Sequence, residues 1–153
     1  MAIPSLFTVT EIELVYRNKQ NPRDRPIVRN SRNAYDLFLM SWNMNRINLV
    51  EDFKILLQDR RCACLGIAPI ASGSINECLV DPKIVFGIAL KAKASALTLA
   101  HNHPSGCVQP SQPDMTLTRQ FKMAGEFLNI RVNDHLIITP RDYYSFADKG
   151  MMP

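Results

Sequence analysis

The chain's omissions narrow its class first. It has no run of about 18 consecutive apolar residues, the length a helix needs to cross a bilayer, so no membrane span is expected. Residues 1–14 carry no basic leader, and Pro4, Thr8, Thr10 and Glu11 break up their apolar character, so no secretory signal is expected. The four cysteines, Cys62, Cys64, Cys78 and Cys107, form neither a CxxC pair nor a zinc-ribbon spacing. Without an export signal they are expected to be reduced thiols of a cytoplasmic protein. There is no internal repeat and no low-complexity linker to divide the chain.

What remains is an ordinary globular composition over 153 residues, with 46% hydrophobic and 21% charged residues. A chain of this size buries about two-thirds of its unfolded surface, enough for a core that needs no staples. The net charge of +4 is mild but uneven. Arg17, Lys19, Arg23, Arg25, Arg29 and Arg32 crowd one stretch, opposed only by Asp24. That stretch suits either a solvated loop or a patch for nucleic acid or an acidic partner. Few aromatics interleave with it, and no base-reading motif accompanies it.

Strand and helix patterns alternate along the rest. Glu11 to Tyr16 reads as a strand. Ser31 to Trp42 has helical spacing at Ala34, Leu37, Phe38 and Ser41, with Ser31 as the expected cap. Glu51 to Gln58 alternates as a strand, with Phe53, Ile55 and Leu57 on one face. Cys62 to Ala71 reads as a mostly apolar strand on which Cys62 and Cys64 share a core-facing side. Asp81-Pro82 opens a helix carrying Val85, Ile88, Ala89 and Ala92 on one side. Ala96 to His101 is a strand, Ser111 to about Leu128 a helix, Leu136 to Thr139 a strand, and Tyr144 to Phe146 a short closing piece. This order predicts an α/β (α+β) single domain with a mixed central sheet flanked by helices. The expected organisation is an N-terminal extension, 1–49, packed on a main domain, 50–153.

The densest chemistry lies where the third of the main strands meets its helix. On a strand, residues two apart point the same way, so His101 and His103 face one spot and Asn102 the opposite side. Pro104-Ser105-Gly106 stops the strand, and the chain returns at Ser111-Gln112-Pro113-Asp114 to start a helix. Ser111 and Asp114 alone make a capping box, a purely structural device. Together with the histidines, Asp114 completes two imidazoles and a carboxylate, the composition of an open catalytic zinc site with room for water. The string His-Asn-His carries no nuclease meaning by itself. A zinc deaminase would need H-x-E with P-C-x-x-C, and neither occurs. Asp134-His135 precedes an apolar run, so His135 is expected at a strand start as a hydrogen-bonded structural residue. Cys107 lies between the proposed ligands and is expected to be a loop residue.

The ordered set His101-x-His103, seven residues, Ser111, two residues, Asp114 resembles the zinc signature of JAMM (MPN+) metallohydrolases. Leu97 to Gly106, with Pro110, Ser111 and Asp114, is similar to the RadC-like branch. The likeness runs from about Val50 to Gly150 and includes Gly73, Val80-Asp81-Pro82, Asp134-His135 and Tyr144-Ser145-Phe146. The resemblance implies a JAB/MPN (cytidine-deaminase-like) fold and one Zn²⁺ per chain held by His101, His103 and Asp114. It further implies Glu51 as the general base that moves a proton from water to a leaving amine, and Ser111 as hydrogen-bond donor to the oxyanion. Glu77 is the alternative base. The implied substrate is a peptide or protein bearing an amide or isopeptide bond. RadC-like proteins often carry a helix-hairpin-helix module that suggests DNA contact. Residues 1–49 do not resemble one, since the first glycine is Gly66. The alternative is a DNA-repair-associated or nucleic-acid-binding protein that uses Arg17 to Arg32, with an auxiliary or vestigial metal site.

Overall fold

Local sequence sets most element boundaries. A computed structural model describes residue 17, residues 19–73 and residues 79–153. The strand expected over Glu11 to Tyr16 and the alternative base Glu77 lie outside these residues. Helix α1 spans Ser31–Ser41, and its cap is Asn30, whose side chain accepts from Asn33 N at 2.8 Å. Ser31 was the expected cap, but its hydroxyl is engaged elsewhere, with the Tyr143 hydroxyl and the Asp148 carboxylate. Either side chain can cap a helix, and the long-range partners of Ser31 decide between them.

Strand β1 (Asp52–Gln58) pairs antiparallel with β2 (Cys64–Ser72) and with β3 (Ala96–Asn102). Cys62 does not share a strand face with Cys64. It sits in the preceding turn at φ +63°, where the Asp59 side chain accepts from Arg61 N and Ala63 N. Both cysteines are only partly buried. Helix α2 (Pro82–Lys91) starts as expected, with Asp81 accepting from Lys83 N and Pro82 at the first position. The basic stretch is tied to the domain rather than detached. Ile27 bridges Ala63, and Val28 is buried beside α1.

Helix α3 (Gln112–Leu128) ends on Asn129 at φ +58° and turns tightly into β4 (Arg131–Ile138). A Cβ on Gly125 would collide with the Ile130 carbonyl oxygen, so this turn requires glycine. Strand β4 begins at Arg131, five residues before the expected Leu136, which places His135 in mid-strand rather than at a start. It pairs parallel with β3, as a crossover through α3 allows, and antiparallel with β5 (Tyr143–Ser145).

The result is one mixed five-stranded sheet in the order β2-β1-β3-β4-β5. Helices α2 and α3 cover one face through Val85, Phe86, Ala89 and Phe121, against Phe53, Ile55, Leu57, Leu97 and Leu99. Helix α1 covers the other through Ala34, Tyr35 and Phe38, against Leu56, Ala100, Leu136 and Ile138. Among the described residues no helix is long and apolar enough to cross a membrane.

Candidate metal centre

The carboxyl end of β3 delivers the two histidines. His101 is the penultimate strand residue and 2% exposed, and His103 follows just beyond the strand. Their Nε2 atoms lie 2.9 Å apart. The chain then turns, with Gly106 N donating to His103 O and Gly106 at φ +79°, a conformation suited to glycine. The turn also brings the Cys107 carbonyl to within 2.7 Å of His103 Nδ1. A carbonyl only accepts, so His103 carries a proton on Nδ1, and in its neutral form the lone pair is on Nε2, facing the centre. Cys107 thus contributes its main chain, while its side chain is exposed.

Helix α3 brings the carboxylate. Ser111 caps it by accepting from Asp114 N at 3.2 Å, and Asp114 Oδ2 accepts from Ser111 N at 2.7 Å, a full capping box. The same carboxylate reaches His101 Nε2 at 3.2 Å through Oδ1 and His103 Nε2 at 3.4 Å through Oδ2. Burial pushes the Asp114 carboxyl up, but the His101 and His103 imidazoles beside it outweigh burial and hold the group far below the usual carboxylate range. The Asp114 carboxylate raises the His103 imidazole above its usual value, because it would accept from a second proton held on Nε2, against a smaller opposing effect of burial. The cap uses an oxygen lone pair of Ser111, so its hydroxyl proton is not spent on the helix.

Glu51 stands immediately before β1 rather than opening it. Its Oε1 lies 3.7 Å from His101 Nε2. Asn102, on the opposite side of β3, holds the flanking backbone. Its Oδ1 accepts from Asp52 N at 2.9 Å, and its Nδ2 donates to Ile47 O at 2.6 Å and Val50 O at 2.9 Å. The Glu51 carbonyl in turn accepts from Gly73 N.

Ligand atoms of Glu51, His101 and His103 all fall within 4.8 Å of one another, a group that could hold a metal ion. Asp114 contacts both imidazoles more closely than Glu51 contacts His101. Two imidazole nitrogens and two carboxylates therefore converge. Such a set of electron pairs is mutually repulsive unless a proton or cation lies among them, and its chemistry fits a divalent metal.

The profile of the RadC-like JAB domain family matches residues 28–151. The chain belongs to that family. The RadC-like domain is a small α+β unit whose five-stranded mixed sheet and helices agree with a JAB/MPN fold. Similar proteins include a UPF0758 protein of Pelobacter propionicus, 42% identical over 102 residues, which are 67% of this chain and 44% of that protein. A UPF0758 protein of Flavobacterium johnsoniae is 42% identical over 101 residues, 66% of this chain and 44% of its own. The UPF0758 protein YkfG of Escherichia coli (strain K12) is 41% identical over 102 residues, 67% of this chain and 65% of its own. The matched segment thus spans less than half the length of the first two relatives.

The structure places His101, His103, Asp114 and Glu51 side by side, with Ser111 bonded to Asp114 at the start of α3. Three further residues, His135, Thr118 and Asn102, support the centre without a clear sequence signal. His135 is fully buried, with Nε2 2.8 Å from His101 Nδ1 and Nδ1 2.7 Å from Thr118 Oγ1. Burial above all holds its imidazole well below the usual value. Thr118 lies one helical turn after Asp114, a spacing that places both on one face of α3 and could have signalled it. Asn102 faces away from the centre, as its alternation on the strand predicts, and holds the backbone beside Glu51. In the basic stretch, Arg23, Arg29 and Arg32 are exposed, and Arg32 pairs with Asp36 at 3.0 Å.

Proposed function

We propose that this RadC-like domain is a zinc-dependent hydrolase of an amide, peptide or isopeptide bond. The observation that carries the reading is the convergence of His101 Nε2, His103 Nε2 and the Asp114 carboxylate beside Glu51. His101, His103 and Asp114 would hold the ion. Bound zinc supplies Lewis acidity, lowering the pKa of water to about 7 and polarising a carbonyl. Glu51 takes the water proton at a carboxylate oxygen and returns it to the leaving nitrogen, a general base followed by a general acid. The Ser111 hydroxyl donates to the oxygen on which negative charge develops. Asn102 holds the backbone on both sides of Glu51, through Asp52 N and Val50 O. A cytoplasmic setting rests on the cysteine usage alone.

Metal analysis of purified protein tests the assignment. Wild type is expected to hold about one zinc per chain, His103→Ala and Asp114→Asn to lose it, and Glu51→Gln to keep it. Retention in Asp114→Asn with loss in Glu51→Gln would exchange the two carboxylate roles. Full occupancy in His103→Ala would end the ligand assignment. A peptide-library cleavage screen should then show turnover by wild type and at least a hundredfold less by Glu51→Gln, from the usual range for a general base of about 10² to 10⁴.

A further inference from the structure

His101 is ambiguous in a way His103 is not. A carbonyl fixes the proton of His103 on Nδ1, but His101 Nδ1 faces another imidazole, His135, at 2.8 Å. An imidazole–imidazole bond can run in either direction. If His135 donated, His101 would carry its proton on Nε2, the atom that points at His103 and Asp114, and would have no lone pair to offer there. If His101 donates, that lone pair is free.

The direction is settled two residues further back. Thr118 Oγ1 donates to the Asp114 backbone carbonyl at 2.7 Å and lies 2.7 Å from His135 Nδ1. A threonine hydroxyl has one proton, and two oxygens this close repel each other unless that proton lies between them. The hydroxyl proton therefore belongs to the carbonyl contact, and the oxygen accepts from His135 Nδ1–H. His135 Nε2 is then the lone-pair atom and accepts from His101 Nδ1–H. All four members, Asp114, Thr118, His135 and His101, are buried. His135 is also stacked on Phe146, with ring centroids 5.1 Å apart, and meets Phe53 edge-on at 5.8 Å. Its ring is thus held by packing as well as by hydrogen bonds.

We propose that Thr118 and His135 are positioning residues that select the tautomer of His101 and so turn its Nε2 lone pair toward the centre. The relay begins on the carbonyl of Asp114 and ends beside the carboxylate of the same residue. Its link to metal binding rests on the hydrolase reading above, whereas the tautomer itself does not. Partners of this kind orient metal-binding imidazoles, and losing one typically weakens metal binding about 10- to 100-fold.

The test uses metal-free protein labelled with ¹⁵N at histidine, together with zinc affinity from chelator competition. In wild type, two-bond proton–nitrogen spectra should show His101 and His135 both protonated on Nδ1. His135→Leu removes the acceptor, so His101 should lose its single tautomer and zinc affinity should fall about 10- to 100-fold. His135→Gln offers an amide oxygen to His101 Nδ1–H and should recover most of that affinity. Thr118→Val keeps the shape of the side chain and serves if His135→Leu does not fold. It should leave His101 as a tautomer mixture, while Thr118→Ser behaves as wild type. A neutral His101 protonated on Nε2 and not on Nδ1 in wild type, or unchanged tautomer and affinity in both His135→Leu and Thr118→Val, would overturn the relay. Wild type that takes up no zinc would overturn the hydrolase reading, and the nitrogen spectra would still decide the tautomer.

Discussion

The two faces of β3 differ in what their buried polar groups are for. Leu97, Leu99 and His101 face α2 and α3, while Ala100 and Asn102 face α1. The α1 face is closed by Phe38, Trp42, Leu136 and Ile138. The opposite face begins the same way around Phe53 and Phe121 but ends in His101, Thr118 and His135. His101 is 2% exposed and Asn102 0%, so burial does not distinguish them. Their partners do. The Asn102 amide ends on backbone groups that need it, a closed arrangement that holds a loop. His101 has one nitrogen committed to His135 and the other aimed at groups that also have lone pairs to offer. Neighbours in sequence thus end on backbone groups on one side of a strand and on a cluster of convergent lone pairs on the other.

That contrast is sharpest when the apolar face is damaged alone. Phe38→Ala should cost about 3–5 kcal/mol in chemical denaturation, the usual cost of emptying a fully buried aromatic site. Zinc per folded chain should not change. Loss of metal from folded Phe38→Ala would break the separation of the two faces. Asn102→Ala should rank next, at about 2–3 kcal/mol, because it strands Asp52 N and the carbonyls of Ile47 and Val50. Unlike Phe38→Ala, it should keep zinc yet slow hydrolysis per bound zinc, since the released backbone flanks Glu51. Undiminished turnover would assign Asn102 wholly to stability.

The smallest effect lies in the turn between β1 and β2, at the other end of the sheet from the histidines. Burial raises the Asp59 carboxyl, but backbone hydrogen bonds from Ala63 and Arg61 prevail and lower it below the usual value. A depressed carboxylate stabilises the fold above its unfolded value of about 3.9, and that contribution disappears as pH falls through the lower folded value. Asp59→Asn should therefore be less stable than wild type at pH 7, by no more than about 1 kcal/mol. The two denaturation curves should converge well below pH 4, and zinc content should not respond at any pH where the fold persists. A difference that grows in acid would reverse the sign of this contribution.

How far the sequence could be read depended on how local each signal was. Ser111, Pro113 and Asp114 announce α3 within one turn, and the alternation of His101, Asn102 and His103 states which two rings converge. Asp81-Pro82 starts α2 by the same short-range logic. The errors came where the deciding contact is distant in sequence. Asn30 and Ser31 are equally good caps, and the choice rests on Tyr143 and Asp148. The first half of β4 reads as polar because Asn133, Asp134 and His135 interrupt its apolar pattern. Their partners are Gln58, Ser145, and the pair Thr118 and His101. Cys62 looked like a strand residue until the Asp59 turn placed it in a left-handed conformation.

One oxygen has a consequence for how this chain can change length. Asp114 Oδ2 accepts from Ser111 N to start α3 and also lies 3.4 Å from His103 Nε2. The step from Ser111 to Asp114 is therefore a distance along a helix, from cap to third residue, and one added residue would rotate the carboxylate about 100° away from both rings. The stretch from Val108 to Pro110 obeys no such period, whereas Gly106 and Cys107 are spaced to bond His103. Inserted or deleted residues are tolerable between Cys107 and Ser111 but not in the four residues after that connection, so the spacing between Ser111 and Asp114 is the rigid ruler of the motif and the spacing after Cys107 is its slack.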